Sequence, residues 1–289
     1  MPDFAIETRG LTHRFGRTLA VDSVDLLVPE GSVYGYLGRN GAGKTTTIQM
    51  LMGLLDPTAG SISVLGFDPL RQDVPMKRAV SYVPERVQMW DWMTVRDLMA
   101  FGAGVHPRWD KVYAEDLRVR FELPRDRKLG QLSRGMQGKA ALLAALASHP
   151  QLLILDDPTM GLDALVRREF MESIIGVLHD TGVTVFFSSH IIDDVERVAD
   201  WIGILHQGKL VVQTPLEELK RGVKRVVAHF AEPPAALDLP GVLHRDGEGR
   251  QQAFVCRECE AAVQELRVAG ATVQAEDCSL EDIFVAYVR

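Results

Sequence analysis

Eight consecutive residues, Gly38-Arg39-Asn40-Gly41-Ala42-Gly43-Lys44-Thr45, have the spacing G-x-x-x-x-G-K-[ST]. The residue types suit phosphate binding. Glycines let the backbone curl so that successive N–H groups converge on phosphate oxygens, and a following helix N-terminus adds partial positive charge. Lys44 neutralises β- and γ-phosphates, and the Thr45 hydroxyl holds Mg²⁺. The predicted nucleotide contacts are therefore Gly38, Asn40, Gly41, Ala42, Gly43, Lys44, Thr45 and Thr46. The flanks agree with this reading. Val33–Leu37 is a short apolar run suited to a buried parallel strand, and Ile48, Leu51, Met52 and Leu55 recur with the period of an amphipathic helix.

A second cluster supports the first. Leu152-Leu153-Ile154-Leu155 reads as a core strand, and Asp156-Asp157 follows it. Strands of an α/β sheet present ligands at their carboxyl ends, which places both carboxylates beside the phosphate loop. Asp156 is assigned to hold Mg²⁺ through its water shell, and Asp157 to orient or deprotonate the attacking water. An acidic turn after a core strand is the plain alternative, and the phosphate loop weighs against it.

The composition bounds the rest. A chain of 289 residues accommodates one large domain and a small one. Its hydrophobic share of 46% and charged share of 25% are those of an ordinary globular protein. A net charge of −7 without a basic block argues against nucleic acid as the principal ligand. No apolar run reaches the ~18 residues of a membrane span, and Met1-Pro2-Asp3-Phe4 lacks the pattern of a signal peptide. Three cysteines make no disulfide framework, so a cytoplasmic protein is expected. Cys256-Arg257-Glu258-Cys259 is a C-x-x-C, but zinc needs about four ligands and only Cys278 and His244 remain to add. Coincidence is the preferred reading.

Along the chain, strands are predicted at Phe4–Thr8, Ala20–Val28 and Ser61–Gly66. From Arg86 to Leu129, Leu98, Phe101, Val112, Leu117 and Phe121 fall among charged residues, as in inserted helices, and helix continues through Lys139 to Ala147. A helix over 164–180 precedes a buried strand, Val183–Phe187, that ends at Ser188-Ser189-His190. His206-Gln207-Gly208 turns a hairpin. A second unit begins near residue 222, with strands at Val226–Phe230, Ala253–Val255 and Thr272–Ala275. Its helices are Glu260–Val268 and one opened by Ser279. No internal repeat is found.

This order of motifs resembles the nucleotide-binding subunit of ABC transporters over about residues 4–215. Gly38–Thr45 resembles Walker A and Leu152–Asp157 Walker B; between them Leu132-Ser133-Arg134-Gly135-Met136 is similar to the signature LSGGQ. Pro158–Asp163 looks like the D-loop, His190 like the switch histidine, and Phe15 like the aromatic that stacks on adenine, although a core Phe fits position 15 as well. The resemblance implies an α/β P-loop NTPase core with an antiparallel β subdomain and an inserted helical subdomain at about 86–147. These make one domain over 1–221, followed by a small C-terminal α+β domain over 222–289. It also implies two ATP molecules sandwiched between two chains, with Ser133, Gly135 and Asp163 serving the opposite chain's nucleotide. Three positions depart from the pattern. Glu85, in Ser81–Glu85, stands where the Q-loop usually has Gln and is a further Mg²⁺ ligand candidate; Asp157 replaces the catalytic Glu; Arg134 replaces the first signature glycine.

The function expected is the ATPase subunit of a bacterial exporter, peripheral on the inner face of the cell membrane. It would work as a homodimer, or with a related subunit, on a separate membrane-spanning permease. Gln88–Met93, rich in Trp and Met, suits either the permease-docking surface or a helical-subdomain core, with docking preferred. The tail from Ser279 to Phe284 resembles the drug- and antibiotic-export branch. Two alternatives stand beside this reading: a dimerising switch with very slow hydrolysis, and a soluble ABC ATPase without a transport role.

Overall fold

The computed structural model describes residues 4–234, 237 and 239–289, with only the backbone of 177–181. Met1–Asp3, part of the segment read for a leader, lie outside the described residues. The chain divides into two compact units, Met1–Gln213 and Thr214–Arg289.

The first unit opens with β1 (Phe4–Phe15), β2 (Thr18–Val24), β3 (Leu27–Pro29), β4 (Val33–Gly38), α1 (Lys44–Leu51) and β5 (Ala59–Val64). The long β1 pairs antiparallel with β2 through its second half and with β3 through its first, and β5 adds to it, giving a four-stranded antiparallel sheet. The single strand predicted over Ala20–Val28 is thus two. Thr8 of β1 makes the break: its hydroxyl donates to the Val24 carbonyl at 2.8 Å and accepts from the Leu26 N–H at 2.9 Å. Helix α1 also stops earlier than its apolar period predicts. Gly53, at φ 64°, donates to the Met50 carbonyl and Leu54 to that of Gln49, a Schellman closure that leaves Leu55 beyond the helix.

The chain continues through α2 (Asp73–Lys77), β6 (Val80–Val83), α3 (Val95–Val105), α4 (Lys111–Arg120), α5 (Arg134–Leu146), β7 (Leu152–Asp156), α6 (Ala164–Thr181), β8 (Thr184–Ser189), α7 (Ile192–Val198), β9 (Trp201–His206) and β10 (Lys209–Pro215). A six-stranded sheet runs in the order β10-β9-β4-β8-β7-β6, with β9, β4, β8, β7 and β6 parallel. Its register aligns Leu37 with Ser189, Ser188 with Asp156, and Leu155 with Val83. The strand ends that carry the phosphate loop, the paired aspartates, His190 and Glu85 therefore share one edge. Every residue of β7 and β8 is buried, as strands covered on both faces require. β6 was not anticipated; Val-Ser-Tyr-Val is too short to show a period.

Helices α3 and α4 are capped by Thr94, in a reciprocal capping box with Asp97, and by Asp110. Of the five apolar residues read as inserted-helix packing, Leu98, Leu117 and Phe121 are buried, whereas Phe101 and Val112 face solvent.

The second unit comprises α8 (Leu216–Gly222), β11 (Val223–His229), β12 (Val242–Asp246), β13 (Gln251–Arg257), α9 (Glu260–Val268), β14 (Thr272–Asp277) and α10 (Leu280–Val288). Its antiparallel sheet has the order β12-β13-β11-β14. Val226, Ala228, Phe254 and Cys256 pack with Ala262 and Leu266 of α9. Strand β12, polar and partly exposed, gave no alternation to read. Cys256 and Cys278 are buried thiols, and burial pushes each up to about 11, which makes them poor nucleophiles. Among the described residues no three His, Cys, Asp or Glu side chains are grouped to hold a metal ion.

Candidate nucleotide site

The turn between β4 and α1 sets the loop. Gly43 takes φ 109°, and a Cβ there would meet the Ala20 carbonyl oxygen at 2.4 Å, so only glycine allows the backbone to lie against β2 before the helix begins. Lys44, the first residue of α1, is 6% exposed and folds back over the loop. Its Nζ donates to the carbonyls of Gly38 at 2.7 Å and Arg39 at 3.3 Å. Burial pulls the ammonium below its usual pKa, and the carboxylates of Asp157, Asp156 and Glu85 push it back.

Those carboxylates come from the adjacent strand ends. Asp156 is buried, and its Oδ1 accepts from Thr45 Oγ1 at 3.1 Å and from Ser188 Oγ at 2.8 Å. Burial raises its pKa, against the two hydroxyl bonds, and Glu85 and Asp157 raise it further. Ser188 also accepts from the Asp157 N–H at 2.9 Å, so one hydroxyl fixes both aspartates. Sequence reasoning left Ser188 as strand; its place beside Asp156 follows from a register that only the paired sheet reveals.

Asp157 sits at φ 43°, the left-handed region that Asp tolerates better than most residues. His190 Nδ1 donates to its Oδ2 at 2.7 Å. Its Oδ1 is buried and has no hydrogen-bond partner among the described residues. Tyr82, on β6, is pushed up to about 12 by burial and by the negative charge of Asp156 and Glu85.

A cleft of about 360 Å³ is lined by Asn40, Gly41, Gly43, Lys44, Thr45, Thr46, Glu85 and Asp157, together with Ala20 and Met160. Gly38 contributes its carbonyl to Lys44, and Ala42 packs into the core. The remaining predicted residues lie elsewhere. Phe15 ends β1, is 52% exposed, and meets His13 edge-on at 4.4 Å; it is not a core residue. Ser133 caps α5, accepting from the Met136 N–H at 3.3 Å. Asp163 caps α6 through the N–H groups of Leu165 and Val166. A Cβ on Gly135 would meet Val166 Cγ1 at 2.3 Å, so this glycine is required by the packing of α5 on α6. The Arg134 guanidinium lies over the D-loop glycine, Gly161.

A family model described as ABC transporter matches residues 21–160. The bacitracin transport ATP-binding protein BcrA of Bacillus licheniformis is 36% identical over 220 residues, which cover 75% of this chain and 71% of the relative. The chain belongs to the ABC transporter family of ATP-binding proteins. The daunorubicin/doxorubicin resistance ATP-binding protein DrrA of Streptomyces peucetius is 34% identical over 262 residues, covering 86% of this chain and 79% of the relative. A solved structure of an ATP binding subunit of an ABC transporter superposes with a TM-score of 0.66 at 26% identity, over 75% of this chain and 92% of that one. This ABC protein is the ATP-binding subunit of a transporter: it binds ATP in a P-loop fold and hydrolyses it. The relatives, named for transport and resistance, give no support to a slow switch or a non-transport ATPase.

Proposed function

We propose that this subunit powers export of antibiotic-like molecules by forming an ATP-dependent dimer on a separate membrane permease. The observation that carries the dimer is the separation of its motifs. Lys44, Thr45, Glu85 and Asp157 share one cleft, whereas Ser133 and Asp163 do not line it and stand exposed at the starts of α5 and α6. The start of α5, where Ser133 takes only the Met136 N–H, suits a phosphate, and a second copy would bring it to the cleft. The partner can be another copy or a related subunit; export is the direction suggested by the resistance protein among the relatives.

Within the cleft, Lys44 and the backbone N–H groups of Gly41 and Gly43–Thr46 bind the β- and γ-phosphates, and Phe15 offers an exposed ring face to the base. Thr45, Asp156 and Glu85 fit a Mg²⁺ ion: all are oxygen donors, and Thr45 already meets Asp156. When bound, Mg²⁺ neutralises charge on the phosphates. The buried, unpartnered Oδ1 of Asp157 is the atom available to orient water and take its proton, and His190, tethered through Nδ1, presents Nε2 to the γ-phosphate. No helix among the described residues is long and apolar enough to cross a membrane; in this reading a separate permease supplies the span and this chain docks on its cytoplasmic side.

Gln88–Met93 supports the docking role in part. Trp90 and Trp92 are 54% and 66% exposed, while Met93 is buried. Trp90 meets Phe101 edge-on at 5.3 Å, on the rim of an apolar cavity of about 330 Å³ that also involves Met89 and Pro84. The second unit, with its own small core, acts as an accessory to these steps.

The test is to trap the dimer. Asp157→Asn with ATP and Mg²⁺ should run at twice the monomer mass by light scattering at micromolar concentration, and Ser133→Arg in that background should return it to monomer. A monomer in Asp157→Asn overturns the composite site.

A further inference from the structure

The two segments that carry Asp157 and His190 are tied together a second time, away from the cleft. Thr159, two residues after Asp157, is 2% exposed, and its hydroxyl donates to Asp194 Oδ2 at 2.8 Å. Asp194 lies four residues after His190, in α7, and is 6% exposed. Its other oxygen, Oδ1, faces Arg167 Nε of α6 at 3.5 Å. A buried carboxylate is tolerated only when its lone pairs are met, and here Thr159 and Arg167 meet them.

The path from Asp157 to Thr159 has little slack. The Met160 N–H closes a turn on the Asp157 carbonyl at 3.0 Å, and Leu162 closes another on that of Thr159 at 3.2 Å. The path from His190 to Asp194 is equally short: Ser189 Oγ accepts from the Ile191 N–H at 2.9 Å just before α7 begins. Moving Thr159 relative to Asp194 therefore moves Asp157 relative to His190. Burial raises the Asp194 pKa, Thr159 and Arg167 lower it, and Asp157 is among the charges that raise it.

We propose that Thr159 and Asp194 are positioning residues for hydrolysis, a buried clamp that fixes the Asp157–His190 separation and makes the D-loop and the histidine segment move as one. This rests on the reading that Asp157 and His190 do the hydrolytic work. Hydrolysis tolerates little misplacement, about 1 Å costing a hundredfold, whereas phosphate binding by Lys44 and the loop does not pass through the clamp.

Thr159→Val keeps the shape and removes the donor; Thr159→Ser keeps the donor. The full chain of each is assayed for kcat and, by calorimetry, for ATP affinity, alone and in a His190→Ala background. We expect Thr159→Val to lower kcat about 10- to 100-fold with ATP affinity within twofold, and Thr159→Ser to keep kcat within threefold of wild type. In His190→Ala, Thr159→Val should have no further effect, since nothing is left to position. If Thr159→Val lowers kcat by the same factor in both backgrounds, or lowers ATP affinity instead, the clamp is refuted. If His190→Ala itself leaves kcat unchanged, the underlying reading of the dyad fails, and the clamp with it. Asp194→Asn keeps an acceptor for Thr159 and weakens only the Arg167 contact, so its kcat should fall less than that of Thr159→Val; a larger fall in a folded protein contradicts the proposal.

Discussion

His190 Nδ1 lies 2.7 Å from Asp157 Oδ2, while Asp157 Oδ1 is buried without a hydrogen-bond partner among the described residues. The carboxylate is thus divided between an oxygen held by the imidazole and an oxygen left to accept. Position 157, where the family usually has Glu, is filled by a residue one methylene shorter, at a left-handed φ of 43°.

That geometry sets the outcome of Asp157→Glu. A longer side chain cannot keep its carboxylate at the same distance from His190, and Glu suits the left-handed backbone less well than Asp. We expect kcat to fall about 10- to 100-fold with ATP affinity retained. Glu85 faces the same cleft, so Glu85→Gln should partly restore the rate of Asp157→Glu by removing a neighbouring negative charge. A rise in rate for the single Asp157→Glu variant, or strictly multiplicative effects in the double variant, shows that the two positions are not mutually adjusted.

Lys44→Ala should weaken ATP binding by at least about a hundredfold, or 2.7 kcal/mol, by calorimetry. The variant loses the cation facing the phosphates and also leaves the Gly38 and Arg39 carbonyls without their donor. Unchanged affinity would remove the phosphate site from Gly38–Thr45.

Much of this site was legible because its motifs are contiguous. The spacing of Gly38–Thr45 and the apolar run before Asp156 place the loop and the carboxylates without any long-range information. What escaped depends on register or on tertiary closure. Ser188 is an unremarked strand residue until β8 pairs with β7 and sets it beside Asp156. Thr159 and Asp194, 35 residues apart, meet only through the fold. Leu55 keeps the helical period yet lies outside α1, because the chain closes at Gly53 first. Gly135, read as serving the opposite chain's nucleotide, also packs closely against Val166, a contact that only the fold reveals.

Asp156→Asn should separate stability from activity. Burial holds the Asp156 carboxyl above the ordinary range, so the folded state binds its proton more tightly than the unfolded chain does. Its contribution to stability is present at low pH and is lost as pH rises through the folded-state value. A neutral amide still accepts from Thr45 and Ser188 and removes that loss. The Tm at pH 7.5 should rise, each kcal/mol recovered being worth about 2–4 °C, while Mg²⁺-dependent hydrolysis disappears. A lower Tm at pH 7.5 contradicts the burial argument.

Gly135→Ala should destabilise the first unit by about 1–3 kcal/mol, the usual cost of overpacking, because its Cβ falls 2.3 Å from Val166 Cγ1. Val166→Ala in the same chain should recover most of the loss, read by denaturant unfolding. No recovery would mean that the glycine serves something other than the contact between α5 and α6.

The most direct test of the account is multiple-turnover phosphate release from ATP by the wild-type chain beside Asp157→Asn and His190→Ala, with Mg²⁺ present. Wild type should turn over ATP continuously and both variants should lose about a hundredfold or more, with ATP affinity by calorimetry unchanged. Equal rates in all three proteins would contradict it, because Asp157 and His190 could then not be the groups that drive hydrolysis.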